Sequence, residues 1–149
     1  ALVILATLAG FFVVGSPQGE RQRRLDERRV NDLQNIQGQV VENWRQKEKL
    51  PPSLDELKDN ISGYTPPFDP VTAEAYEYRV LDNLNFEICA NFATEFFGFD
   101  QSNFPAPVLA PERPMKTKNQ PDNWAHSQGR VCFDRTIDPE RYKPYNIGY

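Results

Sequence analysis

The chain has 149 residues and a formal net charge of −4 at pH 7, from 17 basic and 21 acidic side chains. This length suits one ordinary domain and leaves too little chain for two domains and a membrane segment. The negative charge argues against nucleic acid as the main partner, because phosphate binding needs a clustered positive surface.

The first segment is strongly apolar. Residues 1–15 carry no charge, and Thr7 is their only polar side chain. A helix needs about 20 residues to cross a bilayer, so we expect that further residues upstream have been removed or belong to a longer chain. A cleavable signal peptide is one alternative, although Val13 to Gly15 form a poor cleavage site; a buried core helix is another.

We therefore predict that residues 1–17 form a transmembrane or filament-core helix segment and that residues 18–149 form an extracytoplasmic α+β domain. The side chains expected to contact lipid or neighbouring copies are Leu2, Val3, Ile4, Leu5, Leu8, Phe11, Phe12, Val13 and Val14. The basic run that follows (Arg21, Arg23, Arg24, Arg28 and Arg29) is diluted by acidic residues, which favours a solvated helix start near lipid head groups over nucleic-acid contact.

A long amphipathic helix is predicted after the break at Ser16-Pro17, over residues 18–49. Its apolar residues recur at spacings of three and four and form one stripe. A sheet built by the rest of the chain is the expected partner of this stripe. A coiled coil is the alternative, but Gln37 and Gly38 interrupt its seam.

Alternating apolar and polar residues predict a β-hairpin, with strands at residues 76–80 and 86–92 and a turn at residues 82–85. A third strand is expected at residues 130–136. Between helix and hairpin, Ser53 and Glu56 have the spacing of a capping box for a short helix ending near Asn60. We predict that Leu33, Ile36, Val40 and Trp44 pack against Tyr76, Tyr78, Val80, Phe86, Ile88 and Phe92.

The two cysteines, Cys89 and Cys132, lie in two of the predicted strands. This placement suits a disulfide between neighbouring strands in an oxidising compartment, and Cys89 would lie on the outer face with Glu87 and Asn91. Two buried reduced thiols are the alternative.

The sequence offers little for catalysis. His126 is the only histidine, and no nucleophile elbow, Walker A, HExxH or GxGxxG motif accompanies it. We expect no enzymatic activity, no cofactor and no metal site; loop aspartates such as Asp69 more often cap turns than bind calcium. The proline-rich loop at residues 94–123 is the expected place for recognition.

The order of these elements resembles type IV pilins and the pseudopilins of type II secretion. The resemblance covers residues 1–92 and rests on four short segments, at residues 26–37, 49–54, 68–70 and 76–78. Residues 33–89, with residues 130–136, look even more like uncharacterised bacterial membrane proteins. The pilin processing site is absent from these residues, and Leu5 would occupy the place of the usual glutamate if Ala1 were the first residue of the mature protein.

The resemblance implies a membrane-anchored, non-enzymatic subunit that acts by self-assembly or protein contact, in the cell membrane or in a cell-surface filament. It implies a homo-oligomer or filament and the membrane as partners. A single-copy extracytoplasmic domain that binds a ligand or partner is the alternative. A Gly-aromatic-x-x-x-Glu start upstream of Ala1 would favour the pilin, and further membrane helices would favour the binding domain.

Overall fold

The computed structural model describes residues 17–97 and 123–145. In this part of the chain a long helix, α1 (Pro17–Lys47), precedes a short 3-10 helix, η1 (Leu54–Leu57), and three strands. The strands are β1 (Glu77–Val80), β2 (Asn85–Phe92) and β3 (Gly129–Thr136). One long helix with a small antiparallel sheet confirms the α+β class for these residues. The predicted apolar helix, with its contact residues Leu2 to Val14, and most of the loop at residues 94–123 lie outside the described residues.

The long helix ends two residues earlier than predicted. Glu48 has a positive φ of 53°, the left-handed conformation that commonly terminates a helix. Its backbone N–H still donates to the carbonyl of Trp44, at 2.7 Å. The chain then turns through Leu50 and Pro51, which are both buried, toward η1.

The apolar stripe of α1 forms one side of the core. Its four predicted members, Leu33, Ile36, Val40 and Trp44, are all 5% exposed or less. They belong to one cluster with Phe86, Ile88 and Phe92, the alternate residues of β2 that face α1. The predicted packing of helix stripe on β2 is confirmed.

The prediction for β1 is only partly right. Tyr76 is buried, and Tyr78 is half-buried with its hydroxyl donating to the carbonyl of Pro51 at 2.9 Å. Val80 is 38% exposed, so its predicted burial is wrong. β1 is a four-residue edge strand and α1 packs on β2, so Val80 at the strand end lies beyond the helix.

The sheet has the order β1-β2-β3, with both pairs antiparallel. The predicted turn joins β1 to β2, and the Asp82 carboxylate accepts hydrogen bonds from the backbone of Leu84 and Asn85. The third strand is confirmed to within one residue. Cys89 lies opposite Glu77 on one side and Cys132 on the other.

The capping box before the short helix is not formed. Ser53 makes no side-chain capping hydrogen bond, and the helix is a single 3-10 turn rather than an α-helix reaching Asn60. The backbone N–H of Glu56 already donates to the main-chain carbonyl of Ser53, at 3.3 Å. A 3-10 turn closes this i→i+3 bond by itself, so the serine hydroxyl has no role in it.

Truncating Trp44 to Ala should destabilise the fold by roughly 3–5 kcal/mol, because a large buried side chain is lost and a cavity remains. Chemical denaturation monitored by circular dichroism measures the change in the free energy of unfolding. Leu81→Ala is the control, since Leu81 is 48% exposed and should cost about 0.5 kcal/mol or less. Equal effects at the two positions would show that Trp44 is not a core residue.

Candidate functional site

The start of α1 is mostly exposed. Residues 17–25, here called the stalk, are exposed, apart from Gly19 and Leu25, which are half-buried. At a rise of 1.5 Å per residue they span about 13 Å. The first buried residue of α1 is Asp26, one residue after the stalk. The stalk also follows directly on the apolar residues 1–15, so it is the candidate connection between an anchor and the domain.

A buried ion cluster marks the point where α1 enters the domain. The Arg29 guanidinium donates to Asp69 through Nε, at 2.6 Å, and through Nη2, at 3.2 Å. Its Nη1 donates to Asp26 at 2.7 Å. All three side chains are 10% exposed or less. We call these three residues the clamp.

Backbone amides complete the hydrogen bonding of both carboxylates. Asp26 accepts from the backbone N–H groups of Ala93 and Thr94 and from the Thr94 hydroxyl, at 2.6–3.0 Å. Asp69 accepts from the backbone N–H groups of Val71 and Thr72. The clamp therefore joins α1, the loop after Asp69 and the end of β2.

The clamp keeps both carboxylates ionised. Burial by itself would raise the pKa of Asp69, but hydrogen bonds from Arg29 and from the Thr72 and Val71 amides outweigh it and lower this pKa to about 2. Burial also opposes ionisation of Asp26, yet hydrogen bonds from Thr94, Ala93 and Arg29 hold its pKa below the usual value. The hydrogen bonds that Arg29 donates to Asp69 have the largest effect and raise the pKa of Arg29, although burial tends to lower it.

The two cysteines occupy the outer face of the sheet, away from α1. Their Cα atoms are 4.0 Å apart and their sulfurs are at disulfide distance. The sequence placed Cys89 on this face with Glu87 and Asn91, and strand alternation in β2 agrees. Cys89 is nonetheless only 3% exposed.

Arg130 covers part of this disulfide. Its guanidinium binds both carboxylate oxygens of Glu77, at 2.9 and 2.6 Å, and lies 3.7 Å from the Cys89 sulfur. Glu87, Cys89 and Cys132 also place three potential ligand atoms within 4.8 Å of one another. Sulfurs joined in a disulfide are not thiolate ligands, so the cluster in this state offers a metal one carboxylate.

His126 lies on the other side of the sheet from the cysteines. Its ring stacks on Phe92, a residue of the inner face, with 3.7 Å between ring centroids. The Nδ1 atom is 3.1 Å from the carbonyl oxygen of Trp124, so the neutral tautomer with a proton on Nδ1 makes this hydrogen bond. The neighbouring Ser127 is exposed. This arrangement brings the imidazole to neither cysteine.

Comparisons with protein-family models, with curated proteins and with solved structures found no match. Within residues 17–97 and 123–145, no helix is both long enough and apolar enough to span a bilayer.

The sequence pattern indicates a solvated basic run that includes Arg29, and the clamp was not predicted from it. A signal was present: Asp26 and Arg29 continue the spacing of the buried stripe, which runs through Leu33, Ile36 and Val40 at steps of three and four. Charged residues at stripe positions must be paired when they are buried. The partner Asp69 lies 40 residues away, and helical periodicity carries no information about it.

Replacing Arg29 with Met should destabilise the protein by about 3–5 kcal/mol at pH 7, because two buried carboxylates lose their counter-ion. Both carboxyl pKa values are lowered in the folded state. Their contribution is therefore complete above the unfolded pKa near 3.9 and disappears as the pH falls through the folded value of Asp69, about 2. The difference between wild type and variant should shrink between pH 5 and pH 2.

Chemical denaturation across this pH range measures both effects. Arg24→Met is the matched control, because the Arg24 side chain is 77% exposed on the same helix and its removal should cost less than about 1 kcal/mol. A stability loss for Arg29→Met that stays constant down to pH 2 would contradict the clamp.

Intact-mass measurement under non-reducing conditions should show two protons fewer than the sequence predicts, because Cys89 and Cys132 are bonded. Peptide mapping should recover residues of β2 and β3 as one cross-linked pair that separates on reduction. Closing this loop should stabilise the fold by roughly 3–4 kcal/mol. Two alkylatable thiols in the native protein would rule the bond out.

Proposed function

We propose that this chain is a membrane-anchored, non-enzymatic, pilin-like subunit that acts by self-assembly or protein contact. Residues 1–15 form its anchor, in lipid or against the same segment of other copies. The remaining residues form the domain that the anchor displays outside the cytoplasm.

The exposed stalk is the observation that carries this proposal. A helix whose buried stripe starts at Asp26 has no packing reason of its own to extend nine residues further toward its N-terminus, seven of them exposed. The stalk has a role if it connects the domain to residues 1–15 and these residues are buried in lipid or against the same segment of other copies. Residues 1–15 cannot remain in water, since each large apolar side chain gains about 1.5–3 kcal/mol on burial.

The domain has the layout that the resemblance to pilins implies. A long N-terminal helix lies on one face of an antiparallel sheet. Among the described residues, no element packs on the polar outer face, so this face is open to contacts with a partner. The clamp couples the stalk to the sheet, so a load on the anchor reaches the domain. This coupling suits a subunit held by its helix.

A single-copy binding domain is the second candidate, and the base of the long loop favours it. Phe96 and His126 exchange two backbone hydrogen bonds of 2.7 Å, which close the segment between them. A long segment presented from such a paired base suits recognition of a ligand or partner.

The full chain should float with lipid vesicles in a density gradient and remain bound in high salt, because the anchor is apolar. The variant lacking residues 1–15 should stay with the soluble fraction as a folded monomer, since the core is built from residues after Leu25. A truncated protein that loses its circular dichroism signal would show that residues 1–15 belong to the core and would overturn the proposal.

Copy number separates the two candidates. Chemical cross-linking of the full chain in vesicles should give a ladder of oligomers if the anchors or domains of several copies associate. A cross-linking pattern restricted to monomers, with intact membrane binding, would favour the single-copy binding domain.

A further inference from the structure

Four arginines are displayed around the stalk and the turn above it. Arg21, Arg24 and Arg28 share one stripe of α1, because they are three and four residues apart, and Arg23 lies beside them. All four are exposed. Of these four, only Arg24 lies within ion-pair distance of a carboxylate of the described residues, 3.6 Å from Glu20. We call these four residues the basic stalk surface.

Arg29 does not belong to this surface, although it is adjacent in sequence. Its guanidinium is 7% exposed and is held by Asp26 and Asp69. The clamp therefore holds Arg29 inside the domain, while the other four arginines are exposed to a partner.

The molecule is electrically asymmetric along α1. Residues 17–28 carry four arginines against Glu20, Asp26 and Glu27, a net charge of +1, and their exposed side chains alone carry +2. Because the whole chain carries −4, the rest of the protein carries −5. An anionic surface would attract the stalk end and repel the domain, so it would hold the helix upright.

We propose that the basic stalk surface binds the head groups of anionic phospholipids. The proposal rests on the proposed function, because a membrane anchor in residues 1–15 places these arginines at the level of the head groups. Along the helix, Arg21, Arg23 and Arg24 lie about 6–11 Å from Pro17, close to the Debye length of about 10 Å over which an anionic leaflet attracts them. Arg28 lies about 17 Å from Pro17, at the outer limit of this attraction. Guanidinium groups form bidentate hydrogen bonds with phosphate, which suits this ligand.

The partner is a lipid surface rather than nucleic acid. A duplex would extend past the four arginines and meet the negative domain, whereas the membrane surface ends at the stalk. The apolar residues that precede the stalk also have a place in a membrane and none on a nucleic acid.

The full chain in vesicles tests this inference by hydrogen–deuterium exchange. Amides of residues 18–28 should exchange about fivefold more slowly in vesicles with 30% phosphatidylglycerol than in pure phosphatidylcholine, the factor expected from one arginine at an anionic surface. The slowing should disappear in 0.5 M NaCl, where the Debye length falls to a few ångströms.

Two matched variants test whether the slower exchange depends on the basic stalk surface. Replacing Arg21, Arg23, Arg24 and Arg28 with Gln should abolish the slowing. Replacing Lys47, Lys49, Arg141 and Lys143 with Gln removes the same charge from exposed positions far from the stalk and should preserve it. In both variants, slow exchange of the β2 amides shows that the protein is folded.

Four results would overturn the inference. Equal exchange in the two kinds of vesicle, or slowing that survives in the stalk variant, would show that the arginines do not bind lipid. Slowing in phosphatidylcholine vesicles with added inorganic phosphate would identify free phosphate as the ligand. Failure of the wild-type chain to float with either vesicle would overturn the membrane anchor as well, whereas the first three results leave the anchor intact.

Discussion

The clamp is the interaction on which the rest of the described structure depends. A buried guanidinium or carboxylate is very costly unless its hydrogen bonds are satisfied. Arg29 meets this condition with two carboxylates, and the carboxylates meet it with amides from two other segments. No single partner would suffice, so α1, the loop after Asp69 and the end of β2 must all be in place together. One charged residue thereby sets the relative positions of three segments that lie far apart in the sequence.

The clamp and the apolar stripe restrain the helix in different ways. Apolar burial is non-directional, so the stripe holds α1 against β2 but resists sliding along the helix axis weakly. The bonds of Arg29 and Asp26 have fixed lengths and directions, and they lie at the boundary between stalk and domain. A pull on the stalk along its axis meets these directional bonds first. Above them, Tyr76 adds another restraint, because its hydroxyl donates to Asp32 at 2.8 Å.

The spacing of apolar residues predicted which elements form and which face of each one is buried. The stripe of α1, the alternation of β2 and the position of β3 follow from the side of each element that must leave water. The burial of Val80 was wrongly predicted because alternation shows which side chains of a strand share a face. It does not show how much of that face the helix covers. Ser53 has the right spacing for a cap, yet the backbone formed a 3-10 turn that did not need it. Arg29 was missed because its pairing with Asp69 is a long-range contact between polar groups, and the composition around it resembled a solvated basic run.

Different interactions stabilise the two faces of the sheet. A small domain buries a smaller fraction of its surface than a large one, and one helix can cover only one face of three strands. On the inner face, β2 contributes Phe86, Ile88 and Phe92 to a core that α1 closes. On the outer face no described element packs over the strands, and covalent and charged links run across them instead: the Cys89–Cys132 pair between β2 and β3, and the Arg130–Glu77 pair from β3 to β1. Such links need no second layer, so the outer face can stay open to a partner without destabilising the sheet. This openness is what a domain that acts through contacts requires, and the asymmetry of the two faces is therefore consistent with the proposed role.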